Sequence, residues 1–220
     1  MRIVGHRGAA ALAPENTLAA LAAGLDAGAD AVEVDVGLTR DGIPVLLHDA
    51  TLDRTTSGRG PLSGKCWREV AALVPRLEDA LDLVRGRGAP IVVEIKGAPW
   101  DPRTVGAVLA ALRGTEQVVV SSFAWDLLAE VRAKAPDLAL AVTLGRRSKG
   151  DPFATARRLR AVELHPDRRL CSADLLDRAR EAGLAVVAWT VNDPAEARML
   201  RVLGAGGIFT DDPAALRGLR

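Results

Sequence analysis

In Ala31-Val-Glu33-Val-Asp35-Val36 two carboxylates recur with a period of two. On a strand, Glu33 and Asp35 therefore share one face and the valines the other. Two carboxylates side by side on a covered strand are costly unless a cation or a basic group offsets them. An antiparallel edge strand with a solvated face would alternate in the same way, but a parallel strand covered on both sides would not. Ile91-Val-Val-Glu94-Ile-Lys96 repeats the device. Glu94 and Lys96 read either as an internal ion pair or as part of a site. Taken with Glu33 and Asp35, Glu94 completes an all-oxygen donor set suited to one hard divalent cation, Mg2+ or Ca2+. Lys96 and Arg7 would then bind an anionic group bridging to that cation.

The histidines are few. His6-Arg7-Gly8 follows the first apolar run directly. A lone histidine there is commonly a structural hydrogen-bonder, but the adjacent glycine lets a ligand approach the backbone and arginine suits phosphate or carboxylate. His48 precedes Asp49, which either orients a ring nitrogen or caps the turn; a local structural role is expected. His165, in Glu163-Leu-His-Pro166, reads as structural. Cys66 and Cys171 have no metal-ligand or redox spacing and read as small buried hydrophobes.

These residues need a scaffold that gathers strand ends. Short β-branched runs at 3–4, 31–36, 91–95, 118–120, 138–142, 161–164, 185–188 and 207–209 alternate with helical patterns. The helices are expected at about 15–27, 77–84, 104–112, 125–133, 152–159, 172–182 and 194–203, with a short one after Pro213. A further strand at 43–47 follows the turn Arg40-Asp41-Gly42 and returns His48 toward the end of the strand holding Glu33 and Asp35. Eight strand–helix units predict an α/β fold, a TIM-type (β/α)8 barrel. A single domain over residues 1–220 is expected, with a short insertion at about 49–76.

Composition removes several classes of function. With 29 basic and 28 acidic side chains the net charge is +1, which leaves no electrostatic footprint for nucleic acid or anionic membrane. A hydrophobic fraction of 49% excludes a disordered chain, and no apolar run is long enough for stable membrane insertion. The first residues lack the apolar region of a signal peptide and read as a strand, so a cytoplasmic protein is expected.

The motifs, in their order, resemble the glycerophosphodiester phosphodiesterase family. Matching stretches are His6-Arg7-Gly8, Pro14-Glu15-Asn16-Thr17, Glu33-Val-Asp35-Val, Thr39-Arg-Asp41-Gly42, His48-Asp49 and Arg76-Leu-Glu-Asp79. Further on come Glu94-Ile-Lys96, Ser122-Phe123, Trp189-Thr-Val-Asn192 and Thr210-Asp-Asp-Pro213. The resemblance implies a barrel that hydrolyses glycerophosphodiesters, small-molecule substrates, to glycerol 3-phosphate and an alcohol. It marks Glu33, Asp35 and Glu94 as ligands of one divalent cation and His6 and His48 as the acid/base pair. It marks Arg7 and Lys96 as phosphate contacts, with Phe123 and Trp189 shaping the substrate pocket. Glu15 and Asn16 are expected to open the first helix and to support the ligands from behind. Larger relatives carry a bigger cover where this chain has only 28 residues, between His48 and Leu77, which implies an open pocket.

Two other readings share the barrel. A phospholipase-type phosphodiesterase acting on lysophospholipid or lipid would want an aromatic-rich or basic docking stretch. A non-catalytic barrel binding a phosphorylated metabolite would not need a paired acid and base alongside three carboxylates.

Overall fold

The computed structural model describes residues 1–96 and 101–219. In chain order the strands are β1 (Arg2–Gly5), β2 (Ala31–Leu38), β3 (Pro44–Leu46), β4 (Ile91–Ile95), β5 (Val118–Ser122), β6 (Ala139–Leu144), β7 (Glu163–Pro166), β8 (Ala185–Ala188) and β9 (Gly207–Thr210). All except β3 run parallel, and β1 pairs with both β9 and β2, which closes eight strands into a TIM barrel. β3 lies antiparallel on the outer end of β2.

Helices α1 (Leu18–Asp26), α2 (Trp67–Val70), α3 (Leu77–Arg87), α4 (Thr104–Ala111), α5 (Trp125–Lys134), α6 (Pro152–Leu159), α7 (Ala173–Glu181) and α8 (Pro194–Val202) follow the strands, and a 3-10 turn at Ala214–Leu219 ends the series. The period of two divides each strand between two environments. Outward Ile3, Val32, Val34, Val93 and Ile208 pack with Leu21, Leu81, Val105 and Leu128 of the helices. Inward Val4, Ala31, Val92, Val187 and Phe209 make a smaller cluster inside the barrel. Above that plug the inward positions are polar, and they form the site.

Two boundaries differ from expectation for local reasons. α1 begins at Leu18 rather than near 15, because Thr17 is the N-cap, its hydroxyl accepting the Ala20 N–H at 3.1 Å. β7 starts at Glu163 rather than 161, since Arg160 turns left-handed (φ 48°) to end α6 and the register sets Ala141 against Glu163. His165 is therefore within the strand instead of after it. The segment between β2 and α3 has its own apolar cluster of Val45, Leu47, Leu52, Leu62, Val70 and Val74. It sits tightly on the barrel: a Cβ on Gly37 would come within 2.8 Å of Leu62. Both cysteines are free and half-buried. Among the described residues no helix is long and apolar enough to cross a membrane.

Candidate active site

The C-terminal end of the barrel is the end on which such folds place ligands. There a cavity of about 170 Å3 is lined by His6, Arg7, Glu33, Asp35, His48, Glu94, Lys96, Phe123 and Trp189. All nine residues singled out from the sequence thus meet in one place.

The register of β2 on β4 sets Asp35 beside Glu94, and the period of two adds Glu33 one step below. Oxygen atoms of the three carboxylates lie within 4.8 Å of one another. Burial, then the neighbouring Asp35 charge, pushes the Glu33 carboxyl well above its ordinary range. Asp35 goes the other way: against the cost of burial, Lys96 and then Arg7 hold it below its ordinary value. Lys96 Nζ stands 2.7 Å from Asp35 Oδ1 and also pairs with Glu94. The Glu94–Lys96 ion pair is thus made, and both residues line the same cavity.

A tight reversal after β1 places Arg7. A Cβ on Gly5 would meet the Gly8 carbonyl oxygen at 1.9 Å, and one on Gly8 (φ 92°) would meet the Ala20 carbonyl carbon at 2.5 Å. Only glycine fits either position. Arg7 itself is left-handed (φ 52°), so its backbone N–H donates to Glu33 Oε2 at 2.8 Å. Its guanidinium donates to Glu15 at 2.7 Å, and Nε lies 3.3 Å from Asp35. Asn16, buried and also left-handed (φ 56°), grips Asp35 twice. Its amide donates to Oδ2 at 2.8 Å and its carbonyl accepts the Asp35 N–H at 3.0 Å. This is the supporting role expected of it.

Each histidine has a carboxylate on Nδ1. His6 Nδ1 is 2.7 Å from Asp211 Oδ1, and His48 Nδ1 is 2.7 Å from Asp49 Oδ1. Nε2 of each ring is left as the nitrogen for chemistry. Burial opposes a charged His6, but the bond to Asp211 and the field of Glu33 outweigh it and raise its pKa. Asp49 thus orients a ring, where a purely local role was expected. Asn192 fixes Asp211 in turn, donating to Oδ2 at 2.7 Å and accepting the Asp211 N–H at 2.8 Å.

Arg54 carries no sequence signal at all. It donates to Asp49 at 2.6 Å and to both oxygens of Glu15 at 2.7 and 2.8 Å. It thereby links the supports of the His48 and Arg7 sides. Asp211 and Asn192 lie within quoted motifs, but their pairing with His6 depends on barrel closure and not on spacing. At the mouth, Phe123 and Trp189 meet edge to face with centroids 5.5 Å apart. His165 is buried and lines the same cavity, bonded to Glu163 at 2.7 Å and packed edge-on against Phe209.

The donor set can be tested against a cation by charge. Three carboxylates face two fixed cations, Arg7 and Lys96, so ionising all three leaves one negative charge uncompensated, the charge that buried Glu33 resists. A divalent cation would turn that into one positive charge, matching a monoanionic phosphodiester. All-oxygen ligation suits Mg2+ or Ca2+ and disfavours soft metals.

Residues 6–215 match the profile of the Glycerophosphoryl diester phosphodiesterase family. The chain is 31% identical to a glycerophosphodiester phosphodiesterase of Caldanaerobacter subterraneus subsp. tengcongensis, over 99% of this chain and 96% of that one. Among solved structures it superposes with a TM-score of 0.93 on an Oleispira antarctica phosphodiesterase in complex with the product sn-glycerol-3-phosphate. The two are 27% identical, and the match covers 99% of this chain and 96% of that one. A glycerophosphodiester phosphodiesterase from Thermotoga maritima gives a TM-score of 0.86 at 26% identity, over 99% and 97% of the two chains.

Proposed function

The chain belongs to the glycerophosphoryl diester phosphodiesterase family and is an enzyme of that class, and from this premise we propose that it hydrolyses glycerophosphodiesters to glycerol 3-phosphate and an alcohol by metal-dependent, two-histidine catalysis. The observation that carries the reading is the pairing of His6 and His48, each held at Nδ1 by a carboxylate, in one cavity with three clustered carboxylates.

Glu33, Asp35 and Glu94 would hold the cation. When bound, a hard divalent ion supplies Lewis-acid polarisation of a non-bridging phosphoryl oxygen. Arg7 and Lys96 bind the phosphoryl oxygens and offset the charge that builds on them. One imidazole removes the proton from the nucleophile, a water or the neighbouring glycerol hydroxyl, through Nε2. The other gives a proton to the departing alkoxide. Asp211 and Asp49 keep each ring in the tautomer that leaves Nε2 free, and they stabilise the imidazolium when it forms. Phe123 and Trp189 pack beside the alcohol half of the substrate. The same unit is read as spanning residues 1–220 with its insertion at about 49–76, and as acting in the cytoplasm in the metabolism of lipid-derived glycerol esters. The two free thiols suit a reducing compartment.

The test is release of glycerol 3-phosphate from glycerophosphocholine and glycerophosphoethanolamine. Activity should vanish in EDTA and return with Mg2+ or Ca2+, and the cation should raise Tm. Full turnover in chelator would overturn the metal role. His6→Ala and His48→Ala should each lower kcat by about a hundredfold or more with the fold intact. Near-normal turnover in either variant would remove that histidine from the chemistry.

A further inference from the structure

Beyond the catalytic cavity, a second groove of about 440 Å3 runs over the other side of Phe123, along Trp125, Asp126, Ser148, Lys149 and Arg158. Phe123 belongs to both spaces and, 44% exposed, forms the sill between them.

The loop after β6 builds one bank of this groove. Its ends are clasped: Gly145 N–H donates to Ser148 Oγ at 2.9 Å and Ser148 N–H donates to the Gly145 carbonyl at 3.0 Å. It is seated on the aromatic mouth, for a Cβ on Gly145 would lie 3.5 Å from Phe123 and 3.7 Å from Trp189. One on Gly150 would lie 3.1 Å from the Trp125 ring. Arg146, Arg147 and Lys149 stand exposed on this loop, and Arg158 joins Lys149 along the groove. Among the described residues none of these four cations has an ion-pair partner. Asp126 is the one acid on the groove. Most other arginines near the barrel mouth are occupied by carboxylates, Arg7 by Glu15, Arg54 by Glu15 and Asp49, and Arg169 by Asp167. Four unpaired cations beside the pocket are therefore a local surplus in a chain whose net charge is only +1.

We infer that this groove receives the alcohol half of the substrate and selects alcohols that carry a phosphate of their own. The inference rests on the phosphodiesterase reading of the cavity. With the scissile phosphate at Arg7 and Lys96, the leaving alcohol crosses Phe123, and an anionic group on it reaches Lys149 and Arg158. Exposed cations give modest affinity each, so the effect is a preference among substrates and is weakened by salt.

The experiment compares glycerophosphoinositol 4-phosphate with glycerophosphoinositol, which differ by one phosphate. The wild type should favour the phosphorylated substrate in kcat/KM by about fivefold or more. The ratio should fall toward one in Lys149→Ala/Arg158→Ala and at high ionic strength. A ratio near one in the wild type, or a ratio retained in the double variant, would overturn the inference while leaving the phosphodiesterase reading intact. Co-sedimentation with anionic vesicles in place of that discrimination would likewise overturn it, assigning the cations to a surface. If neither substrate is hydrolysed, the phosphodiesterase reading fails. The groove is then judged on inositol 4-phosphate alone, which must raise the Tm of the wild type and not that of the double variant.

Discussion

Arg54 lies outside the barrel strands, yet its guanidinium is the tie between Glu15, which holds Arg7, and Asp49, which holds His48. Bidentate geometry of this sort is specific to arginine. Hydrogen bonds from Arg54 are the leading reason that Glu15 and Asp49 are both held below the usual carboxylate range. A depressed carboxylate contributes above its ordinary pKa, near 4, and the contribution fades as pH falls through the lowered value. Removing Arg54 lets both pKa values rise. Arg54→Ala should therefore lower kcat by about tenfold and move the acid limb of the pH–rate profile to higher pH, with Arg54→Lys in between. An unmoved acid limb would show that Arg54 only braces the loop. Nothing in the sequence marks Arg54, because its partners lie 5 and 39 positions away in a segment without a regular period. Glu33 and Asp35, by contrast, were legible, since a carboxylate pair interrupting a valine strand has few physical uses.

Among the elements, the segment between β2 and α3 has an apolar cluster of its own, with Leu52 fully enclosed in it. Its one four-residue helix, α2, is too short to be stable alone, so packing must hold it. Asp41 contributes by accepting from Thr39 Oγ1 at 2.7 Å and the Trp67 N–H at 2.9 Å. Leu52→Ala should cost about 2–5 kcal/mol within this cluster. Because Arg54 follows two residues later, activity should be lost well below the barrel's own melting temperature, with exchange protection falling in 45–74 and not in β4–β6. Uniform loss of protection would mean that insertion and barrel unfold as one. The cluster was invisible in sequence, because Val45, Leu62 and Val74 share no period. The barrel strands were visible as alternating or continuous apolar runs. Their ends were not: Arg160 and Thr17 set boundaries through backbone conformation and capping, which composition does not show.

At the scale of the whole molecule, a polar strut crosses the barrel's opposite end. Arg2 of β1 donates to both oxygens of Glu163 on β7 at 2.7 and 2.8 Å, and Glu163 also receives His165. Against the cost of burial, His165 and Arg2 hold the Glu163 carboxyl below its ordinary 4.5. A lowered acid stabilises the fold above that value and ceases to as pH falls through its folded pKa. The Tm advantage of the wild type over Glu163→Gln should accordingly be full above about pH 5 and close on further acidification. A gap that stays constant with pH would assign the effect to packing. Eight strand–helix units were enough to predict this architecture, whereas the strut required knowing that β1 and β7 face each other across the interior.

The bond between His6 and Asp211 spans 205 positions of the chain. A ring that follows β1 is oriented by a carboxylate that follows β9, so the pair exists only once the barrel has closed. β1 likewise waits for β9 before it has both neighbours. Closing the β1–β9 seam and orienting the His6 ring are thus a single event in folding.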